Sequence, residues 1–189
     1  MEYSELYGEI TPITGSVPRP TIIRNVRNTV ITFCKEARAY THKLTAQAHT
    51  DYTLTLTPPT DTRIWGASYV ELTNAHKYDD ARVNFFFDEG DQVFQLSHDI
   101  RTTDLLDLEL VLIPTRTATQ CDDKVMEPFF DVIVAGAIHG VLTMPNETWF
   151  NPALAQQYGM AFALGIDNAR HRKRNDDNPG PRTCSYGGY

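Results

Sequence analysis

The chain has no close pair of cysteines: Cys34, Cys121 and Cys184 are odd in number and far apart in sequence. That speaks against a disulfide framework or a cysteine-rich zinc site and for a reducing compartment. Long apolar runs are missing too. The richest stretch, 129–145, is broken by Asp131 and His139 and is too short to cross a bilayer. Basic residues are scarce: 17 Lys and Arg stand against 24 Asp and Glu, for a net charge of −7. Such a balance argues against a protein that grips nucleic acid over a broad basic face. The opening Met1-Glu2-Tyr3-Ser4-Glu5 is acidic and lacks the basic start and apolar core of a secretion signal, so the sequon Asn146-Glu147-Thr148 reads as chance.

Catalytic signatures are equally sparse. There is no GxxxxGK[ST], no GxGxxG after a strand and no HExxH or HxH. Gly66-Ala67-Ser68 lacks the second glycine of a nucleophile elbow. His42, His49, His76, His98, His139 and His171 are scattered singly, whereas local metal motifs pair their ligands. Asp88, Glu89 and Asp91 surround Gly90 without the ligand spacing of a calcium loop, and fit a solvated hairpin tip. Asp107 and Glu109 read as outward-facing acids on a strand. His139, among small residues on a helix, reads as packed and hydrogen-bonded. Trp65, Tyr69 and Tyr78 suit aromatic core or cross-strand packing better than a sugar-stacking platform. No metal, cofactor or catalytic residue is expected.

What the chain does contain is a change of period. Hydrophobic residues make up 41% of the 189 positions, and a chain this long buries roughly 70% of its unfolded surface. Residues 1–17, with Pro12 and Gly15, show no sustained period and are expected to be extended or irregular. Ile22, Ile23, Val26, Val30, Phe33 and Ala37 recur at helical spacing behind Pro18 and Pro20, predicting an amphipathic helix over about 20–39. That places Cys34 on its buried side. Between 40 and 117 the period is two: Thr41–Ala46, Asp51–Thr57, Ser68–Leu72, Val83–Phe87, Gln92–Ser97 and the Leu106, Leu108, Leu110, Leu112 ladder read as short antiparallel strands. After Thr119 the helical period returns. Asp122 or Asp123 can cap a helix reaching about Leu142, with small residues at Gly136 and Gly140 that let a neighbour approach. Asn151-Pro152 opens a last helix to about Lys173. The fold class is therefore α+β: a three- to four-helix bundle over 18–40 and 119–174, an inserted small antiparallel β-sandwich or barrel module at 41–118, an extended arm at 1–17 and a flexible C-terminal tail at 175–189.

One charge run stands out. Arg170, His171, Arg172, Lys173 and Arg174 end the last helix of an otherwise acidic chain. Cations there offset the negative end of the helix dipole, and they equally suit docking of an acidic partner.

The run Met144-Pro145-Asn146-Glu147-Thr148-Trp149-Phe150-Asn151-Pro152-Ala153-Leu154-Ala155, followed by Tyr158, Phe162, Gly165-Ile166 and Ala169-Arg170, resembles tailed-phage head–tail connector proteins, also called adaptor or neck proteins. Phe33-Cys34 and Tyr40 on the first helix, and Ala135-Gly136-Ala137 with Leu142 on the next, are similar to that family as well. The resemblance covers about 18–40 and 122–174. Asn146-Glu147 in the turn and the ending Gly187-Gly188-Tyr189 depart from it. It implies a non-enzymatic virion component, assembled in the host cytoplasm: a dodecameric ring beneath the portal protein that extends the channel for passing double-stranded DNA and offers a platform for a downstream tail or nozzle protein, with no membrane involved. It implies further that the C-terminal segment inserts into the portal, with Arg170, Arg172, Lys173, Arg174, Tyr186 and Tyr189 as docking residues. An acidic channel wall repels phosphates and lets the duplex slide, and Asp88, Glu89 and Asp91 are the expected channel-facing acids. Alternatives are another tail component, such as a tail terminator or minor tail protein, or a carbohydrate-binding β-module using Trp65 and Tyr69.

Overall fold

The computed structural model describes residues 1–47, 52–73, 83–96 and 104–177, with side chains described as far as Arg174. The described residues form helices α1 (Tyr7–Thr14), α2 (Arg19–Ala37), α3 (Asp123–Met126), α4 (Phe130–Leu142) and α5 (Pro152–Asp177). Strands β1 (Thr41–Gln47), β2 (Thr53–Thr55), β3 (Thr62–Leu72), β4 (Phe85–Asp88), β5 (Val93–Leu96) and β6 (Leu105–Pro114) lie between α2 and α3 in the chain. They pair antiparallel in two small sheets, ordered β1-β6-β3 and β2-β5-β4. The fold is thus mixed, with helices and two three-stranded sheets.

α2 forms where its apolar stripe predicts. Pro18 stands at its N-cap, Ile22, Val26, Val30, Phe33, Cys34 and Ala37 are buried, and Arg38 ends it in the left-handed region. α4 packs against α2 and α5, and α1 against both α4 and α2. Their apolar faces share one cluster that also receives Ile113 from β6 and Trp65 from β3. The close approaches depend on glycine. A Cβ on Gly136 would stand 2.5 Å from Thr29 Cγ2 and 2.7 Å from the Phe162 ring, and one on Gly140 would stand 2.8 Å from Asn25 Oδ1.

Two helical expectations are corrected. Residues 7–14, expected to be extended, are helical in spite of Pro12. Tyr3, Leu6, Ile10, Thr14 and Val17 are buried at near-helical intervals, so tertiary burial holds a short helix that Gly8, Pro12 and Gly15 obscure in the sequence. The single helix expected up to Leu142 is split into α3 and α4 by Glu127–Phe129. Pro128 has no amide donor, and its ring clashes with the carbonyl four residues earlier. Phe129 leaves the helical region at φ −122°, and its ring rests 4.9 Å from that of Phe33. Asp122 does cap α3, accepting from the Lys124 amide at 2.9 Å.

A second apolar cluster lies between the two sheets. Leu106, Leu108, Leu110 and Leu112 of β6 meet Ile64 and Val70 of β3 and Leu54, Phe94 and Leu96 of the other sheet. β3 is longer than its alternation suggests, because register shifts beside Gly66 and Ala67 break the period. The first shift lies at Trp65, which packs into the helical cluster with the Lys35 ammonium 3.9 Å above its ring.

Candidate functional site

The basic end of α5 is set by how that helix starts and how it lies. Asn151 Oδ1 accepts from the Leu154 amide at 3.1 Å, the expected N-cap. From there the helix runs to Asp177, beyond the predicted end at about Lys173. Positions 170, 173 and 174 then share one side of the helix and 172 turns away.

Arg170 is committed to the protein itself. Its Nε donates to the Glu36 carbonyl at 2.6 Å and Nη2 to Glu36 Oε2 at 2.6 Å, while Nη1 reaches Asp167 Oδ1 at 3.4 Å. It therefore clamps α5 to the last turn of α2. Lys173 Nζ donates to Glu109 Oε1 at 2.7 Å. Glu109 is 1% exposed, with Lys43 Nζ 3.9 Å from the same oxygen. The expectation that Glu109 faces outward is wrong. From Leu108 onward both faces of β6 are buried, one by the other sheet and one by the helices, so alternation no longer marks solvent. The uninterrupted Leu110-Val111-Leu112-Ile113 run was the available sequence signal. Asp107 is half-buried and accepts from the Thr45 hydroxyl at 2.6 Å.

A cleft of about 440 Å³ opens beside these pairs, walled by Lys35, Arg38, Arg170, Lys173 and Arg174 with Glu36 and Ser68. Arg172 lines a different cleft of about 300 Å³ with Ala39, Lys124 and Phe129. Arg172 and Arg174 are exposed. Tyr186 and Tyr189 lie outside the described residues, as does the tail beyond 177.

The acids of the β4–β5 connection have distinct local tasks. Asp88 Oδ1 accepts from the amides of Gly90 at 2.8 Å and Asp91 at 3.3 Å, and so builds the turn. Glu89 pairs with Arg63 at 3.2 Å. Gln92 fastens the turn to β3, accepting from the Ile64 amide at 2.9 Å and donating to the Glu89 carbonyl at 2.7 Å. Asp91 is exposed.

Other sequence candidates stand as follows. His139 is half-buried, with Nδ1 2.8 Å from the Ala155 carbonyl oxygen, as a packed and hydrogen-bonded histidine should be. The Trp65 face is covered by Lys35, and Tyr69 has Lys43 at 6.0 Å from its ring. Tyr78, His49, His76 and His98 lie outside the described residues. Among the described residues no group of three or more His, Cys, Asp and Glu could hold a metal, and no helix is long and apolar enough to cross a membrane. One surface feature escaped the sequence reading: Met160 and Leu164, one turn apart on α5, are 58% and 65% exposed, and Phe150 before the helix is 46% exposed.

No protein-family model matches the chain, and no curated protein matches it.

Proposed function

We propose that this protein is a structural subunit of a phage head–tail connector, working as one member of a closed homo-oligomeric ring. The observation that carries the reading is the apolar strip of Met160 and Leu164 on the outer side of the longest helix. Large apolar side chains grouped on a surface mark a face that a partner covers. In a closed ring each subunit presents one face to a different face of its neighbour, and this strip supplies one of them. On this reading α1, α2, α4 and α5 are the bundle that builds the ring wall, and the strands between α2 and α3 are an inserted module. The short α3 lies at the seam.

The basic end of α5 then divides in two. Arg170 and Lys173 hold α5 against α2 and β6, while the exposed Arg172 and Arg174 are the docking cations that meet an acidic portal surface. The continuation through Tyr186 and Tyr189 extends that contact. A net charge of −7 per subunit suits a wall past which duplex DNA slides.

Native mass spectrometry and electron microscopy test the reading. The wild-type chain should assemble into a ring of a single stoichiometry, and Met160→Glu with Leu164→Lys should leave folded monomers. A wild-type chain that stays monomeric at high concentration and beside its portal would overturn it. Six-fold particles would point to a tail terminator instead.

A further inference from the structure

The cleft where the ends of α2 and α5 meet holds more positive charge than the fold itself uses. Lys35 and Arg38 wall it from α2, Arg170, Lys173 and Arg174 from α5, and Ser68 lines it from β3. Two of these cations are held by the chain's own carboxylates: Arg170 by Glu36 and Asp167, and Lys173 by Glu109. Among the described residues, Lys35, Arg38 and Arg174 meet no carboxylate. Lys35 is half-buried with its ammonium over the Trp65 ring, and Arg38 and Arg174 are exposed. Like charges gathered in one cleft repel each other, and they are gathered here in a chain of net charge −7. Helix dipoles favour a cation at each helix end, but they do not require two such ends to share a cleft.

Arg38 adds a second, independent observation. It ends α2 in the left-handed region, at φ 52° and ψ 33°, with its amide donating to the Cys34 carbonyl at 3.1 Å. A helix that closes in this way is best served by glycine, which has no Cβ to strain. The chain therefore bears both backbone strain and charge repulsion in holding a guanidinium at this cleft. Ser68 is the residue skipped in the β3–β6 register between Ala67 and Tyr69, and such bulges re-aim side chains beside binding sites.

We propose that this cleft receives a short, extended acidic segment of a partner polypeptide, whose carboxylates pair with Lys35, Arg38 and Arg174. The proposal rests on the reading that the basic end of α5 docks a partner. It adds that the site is built jointly by α2, β3 and α5, with Arg170 and Lys173 as the paired scaffold beneath it. A guanidinium takes a carboxylate through two parallel N–H···O bonds, so Arg38 and Arg174 each suit one acidic side chain. The free cations stand on two helices around an open cleft of about 440 Å³, which suits a run of anionic groups rather than a single enclosed phosphate. Net charge selects a peptide over nucleic acid. A duplex would carry its remaining phosphates across acidic surface, whereas a short acidic run confines its charge to the cleft.

Fluorescence anisotropy of the full chain with a labelled octapeptide of alternating Asp and Glu tests the proposal, beside an Asn and Gln octapeptide and a labelled DNA duplex. At low salt the acidic peptide should bind once per chain and the other two should not. Arg38→Gly and Arg174→Gln should each weaken binding about threefold, and about tenfold together. Arg24→Gln, the same loss of charge on exposed α2 surface outside the cleft, should leave the affinity unchanged. Arg38→Gly should also raise the melting temperature, which an arginine kept only for stability would not do. Should a variant misfold, hydrogen exchange of the wild-type chain decides, and the acidic peptide should protect the amides of 35–38 and 170–174. No binding of the acidic peptide, equal binding of the neutral one, tighter binding of DNA, unchanged affinity in the double variant, or protection elsewhere would each overturn it. A chain that binds the peptide in this cleft yet never forms rings upholds the cleft and sinks the connector reading. A ring that ignores the peptide does the reverse.

Discussion

At Glu109 a carboxylate lies almost without solvent contact on the central strand of a sheet, and Oε2 has no hydrogen-bond partner among the described residues. A charge so placed is tolerated through Lys173, whose ammonium meets Oε1. Removing one partner of such a pair leaves an uncompensated buried charge. Lys173→Met should therefore lower stability by about 3 kcal/mol in urea denaturation, and the double change Glu109→Leu with Lys173→Met should recover most of it. A single variant as stable as wild type would show that the pair is solvated. Other groups with raised values shape the alkaline limb of the stability profile. The Met1 ammonium is held above its usual 8.0, chiefly by its bond to Asp123. Burial pushes the Tyr40 phenol up to about 12 from 10.0. Both folded-state values are raised, so their contributions are complete below the unfolded values and are lost as pH rises through the folded ones. Stability should fall first above pH 8, from Met1, and again above pH 10, from Tyr40 together with the more deeply buried Tyr3, whose phenol burial pushes up further. Tyr40→Phe should lessen the second fall and leave the part that Tyr3 contributes, read from unfolding midpoints across pH.

Among the elements, the helix pairings turn on positions without side chains. α2, α4 and α5 converge at Gly136, where an added Cβ would meet Thr29 on one side and Phe162 on the other. Alanine there would add intrinsic helix stability of about 1 kcal/mol, but overpacking costs about 1–3 kcal/mol. The net expectation for Gly136→Ala is a loss of about 1 kcal/mol by chemical denaturation, partly recovered when Thr29→Ser removes the opposing methyl. An increase in stability would mean that the helices can part at no cost. The strands show the complementary case. In β6 the leucine ladder faces the other sheet while Ile113, on the opposite face, enters the helical cluster, so one strand serves both apolar clusters.

For the molecule as a whole, charge is distributed rather than simply acidic. The cations at the C-terminal ends of α2 and α5 gather around one cleft, while Asp88, Glu89 and Asp91 cluster at a hairpin tip beside Arg63. A chain of net charge −7 repels phosphate over most of its surface. In a gel-shift assay at physiological salt the protein should leave duplex DNA unretarded, and tight, salt-sensitive retention would contradict the proposed sliding wall. The same charge pattern predicts that binding to an acidic partner weakens steeply with ionic strength.

Periodicity in the sequence was sufficient for α2, for the cap of α5 at Asn151, for the glycine contacts of α4 and for the existence of most strands, because those features depend on neighbours three, four or two residues away. α1 was hidden, since its stability comes from burying Leu6 and Ile10 against distant helices and not from its own Gly- and Pro-containing segment. The break at Pro128 was visible as a residue but not as an outcome, which depended on where the Phe129 ring finds Phe33. The burial of Glu109 became legible only in three dimensions. Whether a strand face meets water is decided by elements more than sixty residues apart folding onto one another, and no local pattern carries that information.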